Sequence, residues 1–230
     1  MLGHVRCELY KLILNPVYRI SILVCVLSTL AFGIFANDTL SESFIEQAIP
    51  LVEILFILKF LIIGSIWCAE YSNHAIRDSL IVKESRTQLF LAKYICTLGA
   101  IVIIYFLQIL MLYLVNIGNY SSNEIMRLMQ TMILQGGLAL VLTAFLILMA
   151  IVLQKYSYFT AFMIILYLCF RWLLATPNFN MLSYLELQYR NILSFSLTDE
   201  KLLSDAIHFI FLVSPVSFIL GFIKFTRQEF

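Results

Sequence analysis

Residues 89–115 read LFLAKYICTLGAIVIIYFLQILMLYLV, an apolar run in which Lys93 is the only charge. A helix of about 20 apolar residues suffices to cross the hydrocarbon core of a bilayer, so this stretch reads as a membrane span. Working outward, comparable runs fall at about 17–35, 48–69, 128–153, 159–174 and 206–225, making six spans. The whole chain agrees: it has 230 residues, 62% of them hydrophobic and 13% charged. A soluble domain of that size could not hide so much apolar surface behind a polar shell. Six spans leave no room for a separate soluble domain, so residues 1–230 read as one all-α integral membrane bundle.

The segments between the spans set its orientation. Residues 2–15 form an amphipathic helix, with Val5, Leu9, Leu12 and Ile13 on one face and His4, Glu8, Lys11 and Asn15 on the other, which suits a membrane surface. Asn15-Pro16 reads as an N-cap followed by a first-turn proline, and the span that follows is expected to be retained, not cleaved as a signal peptide. Arg6, Lys11, Arg19, Arg77, Lys83, Arg86, Lys93, Lys155, Lys224 and Arg227 belong to one set of flanks; the alternate set has only Arg127, Arg190 and Lys201. Positive charge marks the cytoplasmic side, which places both termini inside. The cytoplasmic stretch 70–93 mixes charges with Ile76, Leu80, Ile81 and Val82, as a short helix on the inner membrane face would. Ser85 and Gln88 then form a capping box for the third span. The external stretch 175–205 predicts short helices, with Leu182, Leu185, Tyr189 and Ile192 on one face and Thr198 able to cap a further helix. Pro215 falls inside the sixth span, where neighbouring helices can satisfy the freed carbonyl.

Several function classes find no support in the sequence. The net charge of +1 does not suggest nucleic acid. Cys7, Cys25, Cys68, Cys96 and Cys169 show no metal or redox spacing and read as small apolar side chains. His4, His74 and His208 are scattered, so no metal site is expected. There is no phosphate-binding glycine loop and no catalytic trio, so the chain reads as neither an enzyme nor a holder of a cofactor. Within the spans, Gln108, Gln130 and Gln135 read as helix-to-helix glue, Gly136-Gly137 as close packing, and Arg171 as a residue that snorkels outward. Glu53 lies near the outer interface. Lys59 lies mid-span, where an ionisable residue is a functional candidate; both are candidates for a translocation path.

The segment Glu70-Tyr71-Ser72-Asn73-His74-Ala75-Ile76-Arg77-Asp78-Ser79-Leu80, followed by Ser85-Arg86 and Lys93, resembles the cytoplasmic signature of ABC-2-type transporter permeases. That signature runs Glu-Tyr/Phe-x-x-Gly-Thr-Ile-Arg, a leucine, Ser-Arg, and a lysine entering the third span; here His74 and Ala75 replace Gly-Thr. The resemblance implies a permease subunit of a bacterial ABC exporter in the cell membrane. It implies a coupling helix after span two, seated in a groove of a cytoplasmic ATPase, with Glu70, Arg77, Asp78, Lys83, Glu84 and Arg86 at that interface. ATP and Mg would be bound by two ATPase subunits, and a second permease, identical or homologous, would complete the complex. Small members of this kind export amphipathic peptides, lantibiotics or hydrophobic drugs, or protect against such peptides. An ion-coupled carrier using Lys59 and Glu53, or a scaffold without transport, are the alternatives.

Overall fold

The computed structural model describes residues 2–36, 57–72, 85–115, 140–174 and 200–227, and among these every regular element is a helix. In chain order they are α1 (Leu2–Leu14), α2 (Pro16–Ala36), α3 (57–72), α4 (Arg86–Val115), α5 (Leu140–Leu153), α6 (Tyr156–Leu174) and α7 (Glu200–Arg227). Spans two and four of the sequence reading are therefore described only from residues 57 and 140. The expected coupling helix within 73–84 and the short helices expected within 175–199 lie outside the described residues.

The central element is α4, against which α1, α2 and α7 pack. Its start follows the capping rule: Ser85 Oγ accepts the Gln88 amide at 3.3 Å, satisfying a donor that the first helical turn leaves open. Residues Arg86–Met111 are long and apolar enough to cross a membrane unaided, with a mean hydropathy of 2.2. Gly3–Leu14 and Pro16–Ala31 reach that standard only as a pair, and they meet at a bend of 63°. Pro16 causes the bend, because its ring disfavours helical backbone at Asn15 and it brings no amide of its own. Asn15 Oδ1 accepts the Val17 amide at 2.9 Å, and Arg19 donates to the Leu14 carbonyl at 2.9 Å, so both helix ends are satisfied at the elbow. The apolar stretches Leu140–Leu153 and Tyr156–Leu166 are shorter. They are joined through Gln154, which takes a left-handed φ of 56° and whose amide still reaches the Ala150 carbonyl at 2.9 Å. A left-handed residue is a common helix stop, although it costs a non-glycine about 1–2 kcal/mol.

Helix α3 contains a π turn at Gly64–Cys68, in which the Ala69 amide bonds to the Gly64 carbonyl. Such a turn holds one extra residue and is rare outside functional or strained sites. Gly64 matters here because α6 lies against it: a Cβ at this position would approach a Tyr156 ring carbon to 2.8 Å and a Phe159 ring carbon to 3.2 Å. Next to the π turn, Trp67 is fully buried and meets Phe90 of α4 and Phe225 of α7 edge-on, at centroid distances of 5.8 and 6.1 Å. Tyr94 and Phe218 extend this aromatic core at 4.9 Å. The outer surface is also apolar, with Leu23 and Leu27 of α2, Phe106 of α4, Ile164 and Ile165 of α6, and Leu220 of α7 all exposed. Apolar residues on both the inside and the outside of a helical bundle need lipid or another protein to cover them. Pro215 lies within α7.

One helix face turns the opposite way from the sequence expectation. The amphipathic pattern put Glu8 on the polar side of α1, yet Glu8 and Leu12 are each only 5% exposed, while Leu9 and Ile13 are 44% and 52% exposed. Helical periodicity groups residues on a face but does not say where that face points. Here it is drawn inward by a buried lysine.

Candidate functional site

That lysine is Lys93, in the third turn of α4 and completely buried. A buried ammonium must be paired and hydrogen-bonded, and three elements meet to do this. Glu70, beyond the π turn of α3, forms a tight ion pair with it. Glu8 of α1 approaches from the other side at 3.6 Å. The carbonyl of Ile66, inside the π turn, accepts a hydrogen bond at 3.1 Å, and the face of Trp67 lies 5.6 Å away. Lys11, one turn along α1, closes the figure: it is 2.7 Å from Glu8 and 3.6 Å from Glu70. The result is a ring of alternating charge, Lys93–Glu70–Lys11–Glu8, in which each group has two opposite neighbours. Its net charge is zero, so removing one member leaves an unbalanced charge in a water-poor place.

Burial disfavours the charge on Lys11, but its hydrogen bond to Glu8 and the nearby Glu70 and Glu8 carboxylates outweigh this and hold its pKa above the ordinary lysine value. A raised pKa makes the stabilising contribution complete below the ordinary value and lost only as pH climbs through the raised one. The lysine is therefore charged throughout the physiological range. Two hydrogen bonds brace the ring from the adjoining layer. Asn15 at the α1–α2 elbow donates to Ser65 Oγ in the π turn at 3.2 Å, and Trp67 Nε1 donates to Thr97 of α4 at 3.1 Å.

Further along the bundle lies a different environment. Lys59 precedes Glu70 by three helical turns, about 16 Å at 1.5 Å per residue. Tyr105 follows Lys93 by about 18 Å on the same scale. The two helices run antiparallel, so these residues meet: the Lys59 ammonium lies 4.8 Å from the centre of the Tyr105 ring. Lys59 is 5% exposed, and the crevice around it is lined by Leu58, Ile62, Ile101, Ile104 and Tyr105. Among the described residues no carboxylate pairs with it. Cys25 of α2 contacts the Ile104 carbonyl at 3.8 Å, tying the first span to this level.

Set beside known families, residues 4–171 match the sequence model of the ABC-2 family transporter proteins. The chain belongs to this family. As an ABC-2 protein it is a membrane protein and the permease component of an ABC transporter, a role that entails an ABC ATPase partner. A comparison with curated proteins gave no match.

The candidate residues of this ABC-2 permease do not form a single cluster. Glu70 belongs to the charge ring. Arg86, exposed at the start of α4, donates to the Thr226 carbonyl at 2.9 Å, so it also caps the final turn of α7, where free carbonyls favour a cation. Lys59 stands apart in the apolar crevice. Glu53, Arg77, Asp78, Lys83 and Glu84 lie outside the described residues. Glu8 and Lys11 were not among the candidates, and Lys93 entered only as the lysine of the family signature. The signals that point to them are an ionisable residue within an apolar span and the single acid of residues 1–37.

Proposed function

We propose that this permease is one half of an exporter that moves an amphipathic or hydrophobic molecule (a peptide, toxin, antibiotic or lipid-like compound) out of a bacterial cell. Energy comes from ATP hydrolysed by two separate cytoplasmic ATPase subunits, and a second permease completes the path. The chain itself performs no catalysis. Both termini and the segment 70–88 face the cytoplasm. Residues 74–86 form the coupling helix, with Arg77, Asp78, Lys83, Glu84 and Arg86 making charge-assisted contacts to the ATPase. Lys59 and Glu53 belong to the translocation path.

The ion pair between Glu70 and Lys93 carries this assignment. These residues stand at the two roots of the coupling segment, and their pairing makes the segment a closed loop fixed at its base. A push on such a loop cannot be absorbed by spreading its ends. It must move α3 and α4 together, and α1 with them through Glu8 and Lys11. A loop of ordinary solvated charge would need no buried anchor.

Arg86→Ala or Asp78→Ala is expected to leave the permease inserted and assembled while impairing the substrate-stimulated ATP hydrolysis of the complex. Hydrolysis by the purified complex, normalised to the permease it contains, is the measurement. Full stimulation in both variants would remove residues 74–86 as the coupling contact.

A further inference from the structure

The two buried lysines of this bundle are treated differently. Lys93 has two carboxylates, a carbonyl and an aromatic face. Lys59, almost as deeply buried, has the ring of Tyr105 and an apolar lining. An aromatic face attracts a cation only modestly, well short of what a desolvated ammonium loses by leaving water. The missing counter-charge must come from outside the described residues.

A second copy of this chain is poorly equipped to supply it. Of the 14 acidic residues, only Glu53 falls within the six apolar runs. It precedes Lys59 by almost two helical turns, about 9 Å along the axis, and so belongs to a shallower level in either copy. The flank beside the crevice is apolar and open: Ile57, Leu61 and Val102 are 47%, 37% and 48% exposed. An apolar runway leading to one cation suits a molecule with a hydrophobic tail and an acidic head.

We propose that Lys59, held over Tyr105, is a binding site for the carboxylate or phosphate head of an amphiphile whose tail lies along Ile57, Leu61 and Val102. This rests on reading the chain as an exporter and narrows its substrate to amphipathic molecules with an acidic group. The Lys59 ammonium donates to the head-group oxygens, and Tyr105 fixes the ammonium from its other side. Closure of the crevice around Lys59 in the lone chain is its ligand-free form.

Photolabelling of the purified full-length chain, in nanodiscs of zwitterionic phosphatidylcholine, tests this without any ATPase. The probes are three dodecyl chains of equal length bearing a terminal diazirine: a carboxylate, a phosphate and an amine. The two acids are expected to label residues 57–63 and 101–105 saturably, and the amine is not. Lys59→Met should cut the acid labelling about tenfold or more, the weight of one charge-assisted hydrogen bond, while Lys59→Arg retains it. Competition then separates the sources of the acid. Displacement by phosphatidylglycerol identifies a lipid head group, and displacement by free dodecanoate alone identifies a non-lipid amphiphile; both outcomes uphold the site. Equal labelling of the Lys59→Met variant, or equal labelling by the amine, overturns it. Unchanged labelling combined with a fall in permease assembly would assign the counter-charge to a protein partner and also overturn it. The ATP-driven reading stands or falls separately, on the hydrolysis assay above.

Discussion

Replacing Lys93 with methionine is expected to collapse the yield of folded protein, at a cost of about 3–5 kcal/mol. Methionine fills nearly the same volume, so the loss is electrostatic. It leaves Glu8, 5% exposed, and Glu70, 19% exposed, sharing only Lys11. It also deprives the Ile66 carbonyl of its donor. The alternating ring makes a sharper statement than a single mutant can. Adding Glu8→Gln to Lys93→Met restores neutrality, leaving Lys11 opposite Glu70, and should recover a large part of the lost stability. Thermal unfolding of the detergent-purified single and double variants measures both. If the double variant is as unstable as Lys93→Met plus Glu8→Gln taken separately, the groups are not coupled and the ring is a coincidence of placement.

Trp67→Ala should be comparably severe, at about 3–5 kcal/mol. The indole is completely buried between α3, α4 and α7. Its removal opens a cavity at the π turn, takes the donor from Thr97 and strips the aromatic face from Lys93. Trp67→Phe keeps most of the packing and loses the hydrogen bond, so it should lie well above Trp67→Ala in thermal stability. A shift for Trp67→Ala no larger than that of a surface change, about 0.5 kcal/mol, would show that the aromatic core does not hold these three helices together.

Much of the architecture could be read from local signals. The run at 89–115, the Ser85–Gln88 cap and the Asn15-Pro16 elbow each depend on neighbours in sequence, and α4 and the α1–α2 junction follow them. The charge ring depends on residues far apart in the chain, and no periodicity links Glu8 with Lys93. The amphipathic pattern of α1 identified its faces but could not orient them, so Glu8 was assigned to water when it faces a buried ammonium. The π turn at Gly64–Cys68 leaves no compositional mark, because an i→i+5 register demands no particular residue type. The family signature marked Arg86 as an ATPase contact; its hydrogen bond to Thr226 adds a tie to α7 that the signature does not contain. Lys59 could be singled out by depth alone. Its ring partner could not, because Tyr105 is brought to it by the antiparallel pairing of α3 and α4.

The central claim is that ATP-driven motion enters this permease through the segment rooted at Glu70 and Lys93. The most direct measurement is to purify the permease from its own membrane with a photo-cross-linking residue at Ser79 and identify what is joined to it. The account predicts a cross-link within residues 74–86 to a co-purifying protein that has a phosphate-binding loop and hydrolyses ATP. A permease that is fully active in transport, yet co-purifies with no ATP-binding protein and forms no such cross-link, would contradict it.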